Sequence, residues 1–114
     1  MMAVIFEVMP HPHARERYLE IAAALRPQLE KIDGFISIER FQSLTDPDKL
    51  LSLSIWRDEA ALTQWRNTDE HRSAQSAGRD AVFRDYRLRV AGIVRDYGMN
   101  ERDQAPGDSR GVHG

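Results

Sequence analysis

Between two β-type runs lies a stretch of chain whose apolar residues keep helical spacing, and that order restricts the possible folds more than any other feature. The runs are "AVIFEV" (Ala3 to Val8) and "FISIERFQS" (Phe35 to Ser43), both rich in β-branched and aromatic residues. From about His13 to Ile32, residues Tyr18, Leu19, Ile21, Ala22, Leu25, Leu29 and Ile32 recur at three- and four-residue intervals and form one stripe. A helix of this kind must bury its stripe, and the flanking strands supply a sheet to bury it on. Pro27 sits inside the stripe, where a missing backbone donor predicts a kink or an early end. Gly34, in "IDGF", supplies the turn that follows.

In "FISIERFQS", Phe35, Ser37, Glu39 and Phe41 alternate with Ile36, Ile38, Arg40 and Gln42, so both faces are mixed. The break "LTDPDK" has the character of a reverse turn, and "LLSLSIW" (Leu50 to Trp56) completes a hairpin. Leu51, Leu53 and Ile55 fall on one face of that second strand; Leu50, Ser52, Ser54 and Trp56 fall on the other. Small hydroxyl residues beside a large aromatic leave room, and room in that place suits a cavity. "RDEAALTQW" reads as a helix capped by Asp58, and Asp69 can cap a further helix running to about Arg79. "AVFRDYRLRVAGIVRDYG" (Ala81 to Gly98) reads as one long strand, in which Val82, Arg84, Tyr86, Leu88, Val90, Gly92 and Val94 alternate with a more polar row.

The order is strand, helix, strand, strand, helical region, strand. This gives an α+β, ferredoxin-like βαββαβ fold, an antiparallel four-stranded sheet with helices on one face. The opposite face carries apolar and aromatic residues as well as charges, and a second copy of the same sheet is the simplest cover; a homodimer is expected. Residues 1–98 form the folded body. The segment 99–114, "MNERDQAPGDSRGVHG", has almost no bulky apolar residue and is expected to be a mobile tail that orders only against a neighbour.

Composition narrows the partners. A net charge of −2 gives no electrostatic case for nucleic acid or an anionic membrane, which leaves a small molecule or another protein chain. The chain has no cysteine, hence no disulfide, thiolate metal site or cysteine nucleophile, in keeping with a reducing compartment. No apolar stretch approaches the roughly 20 residues of a membrane span, and "MMAVIFEVMPHP" lacks the basic leader of a signal peptide. The expected location is the cytoplasm. Neither a glycine-rich phosphate loop nor a nucleophile elbow occurs, which removes support for hydride-transfer and hydrolase readings.

The polar run "WRNTDEHRSAQSAGR" (Trp65 to Arg79) raises a different question. Its His71 and Gln75 stand four residues apart and so share one helical face. That face is either solvated or one wall of a pocket. An exposed or capping role suits His71 about as well as a pocket role, and Trp65 on an amphipathic helix suits the core. Arg40, Arg87, Arg89 and Arg95 alternate along strands, a pattern that fits cross-strand or intersubunit ion pairs. His11 and His13 lack a nearby third ligand, so no metal site is expected.

The segments "IDGFISIERFQS", "LLSLSIWRDEAALTQWRN", "HRSAQSAGR" and "DYRLRVAGIVRDYG" together resemble the antibiotic biosynthesis monooxygenase domain over about residues 1–98. The resemblance implies a dimeric α+β barrel with a ligand pocket between helices and sheet in each protomer. It also implies one of two chemistries. In the cofactor-free branch, electron-rich phenols become quinones as the substrate carbanion itself reduces oxygen. That branch asks for an aromatic slot, a base for the phenolic proton and donors for the developing oxyanion. His71 fits the base and, with Trp65, is the expected catalytic pair. Trp56, Gln75, Arg40 and Tyr86 are the expected substrate-binding residues: Trp65 and Trp56 stack on a ring, and Arg40 or Tyr86 donates to an oxyanion. The haem-degrading branch uses a first-strand asparagine, a tryptophan and a histidine ten residues beyond it. Trp65 matches the tryptophan, but Gln75 stands where the histidine would, and "VIFEV" has Glu7 and no asparagine. Haem with His71 as axial ligand is therefore the alternative, and no bound cofactor is the expectation. A third reading keeps the fold as a non-catalytic binding or stress-response domain.

Overall fold

The computed structural model describes residues 1–114, leaving aside the side chains at positions 78 and 80. The elements are β1 (Met2–Pro10), a 3-10 turn (Pro12–Ala14), α1 (Arg15–Glu30), β2 (Phe35–Gln42), β3 (Leu50–Trp56), α2 (Glu59–Arg66), α3 (Asp69–Ala77), a π-helical turn (Gly78–Val82), β4 (Phe83–Gly92) and α4 (Gly107–His113). The four strands form one sheet in the order β2-β3-β1-β4, and every neighbouring pair is antiparallel. This is the expected ferredoxin-like architecture.

Pro27 neither ends the helix nor shortens it; α1 continues to Glu30. A proline in the last turns removes one backbone hydrogen bond, while Leu29 and Ile32 just beyond it are buried in a cluster with Trp56, Ala61 and Trp65, which holds the turn in place. Gly34 then adopts φ 95°, and a Cβ at this position would stand 2.8 Å from the Ala61 Cβ. Both the left-handed backbone and the close approach of α2 require glycine there. Asp58 caps α2 as expected, its carboxylate accepting from the Ala61 backbone N–H at 2.9 Å. α3 differs from expectation, because its cap is Thr68, whose Oγ1 accepts from the His71 N–H at 3.2 Å, and Asp69 already lies in the first turn.

The mixed faces of β2 are explained by an irregularity. Phe35 pairs with Trp56 and Ser37 with Ile55, so Ile36 is an extra residue that resets the alternation. Phe35 therefore joins Ile38 and Arg40 on the helix-covered side and meets Trp56 edge-on at 5.2 Å. A second register shift, at Met9/Pro10, places Phe83 on the same side as Tyr86, with the rings 5.8 Å apart. The expected single strand to Gly98 is shorter, ending at Gly92.

The tail is not featureless. Its segment carries α4, and the Arg102 guanidinium donates to the Gly98 and Gly114 carbonyls and lies over the Tyr97 ring. These contacts fold the segment back upon itself.

Among the described residues, most buried apolar side chains fall into two clusters, not one. Val8, Ala14, Tyr18, Leu50 and Val82 make the first; Leu29, Ile32, Trp56, Ala61 and Trp65 make the second. A domain of this size ordinarily has one contiguous core. The gap between the clusters lies over the middle of the sheet, where Ser52 and Ser54 take the inward positions of β3.

Candidate functional site

The floor of that gap can be followed strand by strand. Arg40 on β2 pairs with Ser52 on β3, Ser52 with Phe6 on β1, and Phe6 with Leu88 on β4. The next row runs Ile38, Ser54, Val4, Val90. Side chains of one row share a face, so small hydroxyls occupy the β3 positions while larger residues stand on the strands to either side. Above them, α1, α2 and α3 form a roof, and the space between measures about 760 Å³. It is bounded by Tyr18, Ile21 and Leu25 of α1, Trp65 of α2 and His71 of α3.

All six residues singled out in the sequence, His71, Trp65, Trp56, Gln75, Arg40 and Tyr86, line this one cavity. His71 is half-buried, and its ring lies 5.2 Å from that of Trp65, tilted by 55°. Burial, reinforced by the positive charges of Arg72 and Arg66, pushes its pKa below the ordinary histidine value. The imidazole is therefore neutral at pH 7, which is the proton-accepting form. Helix capping in this region belongs to the Thr68 hydroxyl, so the His71 side chain is left to face the cavity.

Trp65 and Trp56 are both core and wall. Trp56 is only 1% exposed, and its indole N–H donates to Ser54 Oγ at 2.9 Å, so it offers the cavity an aromatic surface but no donor. Gln75 is exposed, one helical turn beyond His71. Tyr86 lies against Phe6 at 5.6 Å, and its hydroxyl oxygen accepts from Arg79 Nη1 at 3.1 Å, which leaves its own O–H free to donate. Arg40 is half-buried, with its Nε inaccessible and without a hydrogen-bond partner.

Sequence reasoning missed the aromatic end of the cavity, where Phe6, Tyr18, Phe83 and Tyr86 meet edge-to-face at 5.6–5.8 Å. Phe6 was visible as the central residue between Val4 and Val8 on one strand face; Phe83 was hidden by the register shift. Also missed were Arg66, Arg72 and Arg79 at the rim. For Arg79 the signal existed, since it continues the four-residue spacing of His71 and Gln75. Elsewhere, Arg89 makes the expected ion pair across strands, with Glu7 at 3.4 Å. His11 and His13 stack at 5.5 Å, and no group of three potential metal ligands occurs among the described residues.

A helix-roofed, aromatic-walled cavity on a ferredoxin-like sheet defines an α+β domain with room for a small molecule, and comparison with known proteins specifies which. The family model for antibiotic biosynthesis monooxygenase matches residues 1–77, and the chain belongs to that family. Among relatives, a protein of Pyricularia oryzae named jasmonate monooxygenase ABM is 50% identical over 101 residues, covering 89% of this chain and 47% of that protein. An uncharacterized Bacillus subtilis protein, YqjZ, is 32% identical over 63 residues, covering 54% of this chain and 53% of that one. The chain thus spans about half the length of these curated relatives. The solved structure of Rv0793 from Mycobacterium tuberculosis superposes with a TM-score of 0.76 at 21% identity, covering 85% of this chain and 98% of that one. A crystal structure of an antibiotic biosynthesis monooxygenase superposes with a TM-score of 0.71 at 19% identity, covering 82% and 99%. These two likenesses concern the fold.

Proposed function

We propose that this chain is an oxygen-dependent monooxygenase that oxidises a small hydroxylated ring compound in the cavity without a bound cofactor. The observation that carries the reading is a neutral, half-buried His71 beside Trp65 in an aromatic-walled space. The imidazole takes the proton of the substrate hydroxyl, and the resulting anion delivers electron density from its ring carbon to dioxygen. A C–O bond forms; the hydroperoxide then loses water to leave the carbonyl, so one oxygen atom enters the product and the other departs as water. The Tyr86 O–H and the Gln75 amide are placed on the cavity lining to donate to developing oxyanions.

Oxygen uptake with a panel of naphthols, anthrones and hydroquinones tests this, with ¹⁸O₂ incorporation followed by mass spectrometry. His71→Gln is expected to lower kcat by about 100-fold or more. A panel that takes up no oxygen removes the reaction and leaves the binding-domain reading. The Pyricularia relative's name adds jasmonate to the panel. Haem suits these residues poorly. The cavity face of β1 presents Val4 and Phe6, while Glu7 is engaged in ion pairs with Lys49 and Arg89. A hemin titration giving a Soret shift that His71→Ala abolishes would overturn this cofactor-free reading.

We also propose that a second copy covers the bare face of the sheet. Ile5, Leu51, Leu53 and Ile55 are only partly covered there, and the radius of gyration is 16.4 Å where about 13 Å is usual for this length. Light scattering is expected to report a dimer at micromolar concentration.

A further inference from the structure

The cavity holds a cation with no carboxylate partner among the described residues. Arg40 lines it on the edge strand β2, with an Nε that is inaccessible to solvent and has no hydrogen-bond partner. Among the described residues no carboxylate lies within 4.0 Å of its guanidinium. Its neighbours along the row are Ser52, 7% exposed, then Phe6 and Leu88, and none of these is an anion. Arginine cannot shed its proton to relieve this, and a half-buried guanidinium with one nitrogen shut off from water is favoured by an anionic partner. The rest of the lining has the same sign. Among the described residues, Arg66, Arg72 and Arg79, exposed at the rim, engage only neutral oxygens of Thr63, Asn67 and Tyr86, and Glu59 is the one acid of the lining. A chain of net charge −2 thus has a positive cavity, which draws anions inward.

We infer that the cavity takes a small monoanionic acid with an apolar ring body, its carboxylate seated on Arg40 and Ser52. The terminal Nη groups of the guanidinium donate to a carboxylate and the Ser52 hydroxyl supplies a further donor, which neutralises the charge. Tyr86 stands on the opposite edge strand, three strands away, about 14 Å across the sheet. The body between them contacts Phe6, Val4 and the roof of α1. The inference rests on the cavity's being the substrate site and adds the class of substrate: an acid, discriminated from its own ester.

Anaerobic isothermal titration calorimetry with two matched pairs tests this: jasmonic acid with methyl jasmonate, and 1-naphthylacetic acid with its methyl ester. At least one acid is expected to bind tenfold or more tightly than its ester. Arg40→Gln should abolish that preference, and Arg40→Lys should retain part of it. Raising the salt concentration should weaken acid binding alone. Circular dichroism checks that both variants fold. Equal affinities for acid and ester, a preference that survives in Arg40→Gln, or no binding of either acid overturns the inference. Because oxygen is absent, the result is separate from the monooxygenase test: tight acid binding with no oxygen uptake would remove the reaction and leave the anion site standing.

Discussion

The two faces of β3 invert the usual rule. Its covered face, beneath the helices, carries Ser52 and Ser54, which are 7% and 5% exposed, whereas Leu51, Leu53 and Ile55 stand on the face with no helical cover. Polar residues placed inward and apolar ones outward would be an error in a solitary globule. The inversion has two separate causes. Inward, small side chains keep a space open between two apolar clusters, and Ser54 satisfies the Trp56 indole. Outward, apolar side chains await a second layer of protein, in the reading proposed above. The teaching is that "inside" must be judged per face, and that the cavity is maintained by the absence of side-chain volume.

Three changes break or sharpen this contrast. The largest effect is expected from Leu53→Asp, which puts a charge at the centre of the bare face; light scattering should pass from dimer to monomer, and an unchanged dimer would end the idea that this face seeks a partner. Next, Ser52→Phe fills the covered face instead. Oxidation should fall by about 100-fold in kcat/KM, while the thermal midpoint holds or rises because a void has been filled. A variant that melts early yet keeps its activity would contradict the account of the cavity floor. The smallest effect concerns pH. The unfolded chain protonates His71 near pH 6.5, whereas burial holds the folded-state value lower. Below that ordinary value the unfolded state therefore binds the extra proton, and stability falls as pH falls. The drop in thermal midpoint between pH 7 and 5.5 should be smaller in His71→Gln; an identical drop would mean that another group governs it.

Legibility in the sequence followed the range of the interactions. β3, its two faces and its serine row could be read directly, because alternation along one strand depends only on neighbours in the chain. Gly34 and the Asp58 cap were equally local. Phe35 and Phe83 were placed on the wrong rows, because a bulge is decided by pairing with a partner strand and not by the run itself. The short helix in the tail was missed for a related reason: the Arg102 contacts to backbone carbonyls are not counted by composition.

The sequence by itself determined the order of elements, the hairpin, and which residue types would stand beside one another on each strand, since these follow from periodicities set by the backbone. Only the tertiary structure decided that His71, Trp65 and Arg40 face one space, that the arginine has no counter-charge there among the described residues, and that burial keeps the histidine neutral. Those properties depend on what residues distant in the chain place next to them and on how much water they exclude. Neither is encoded at any single position.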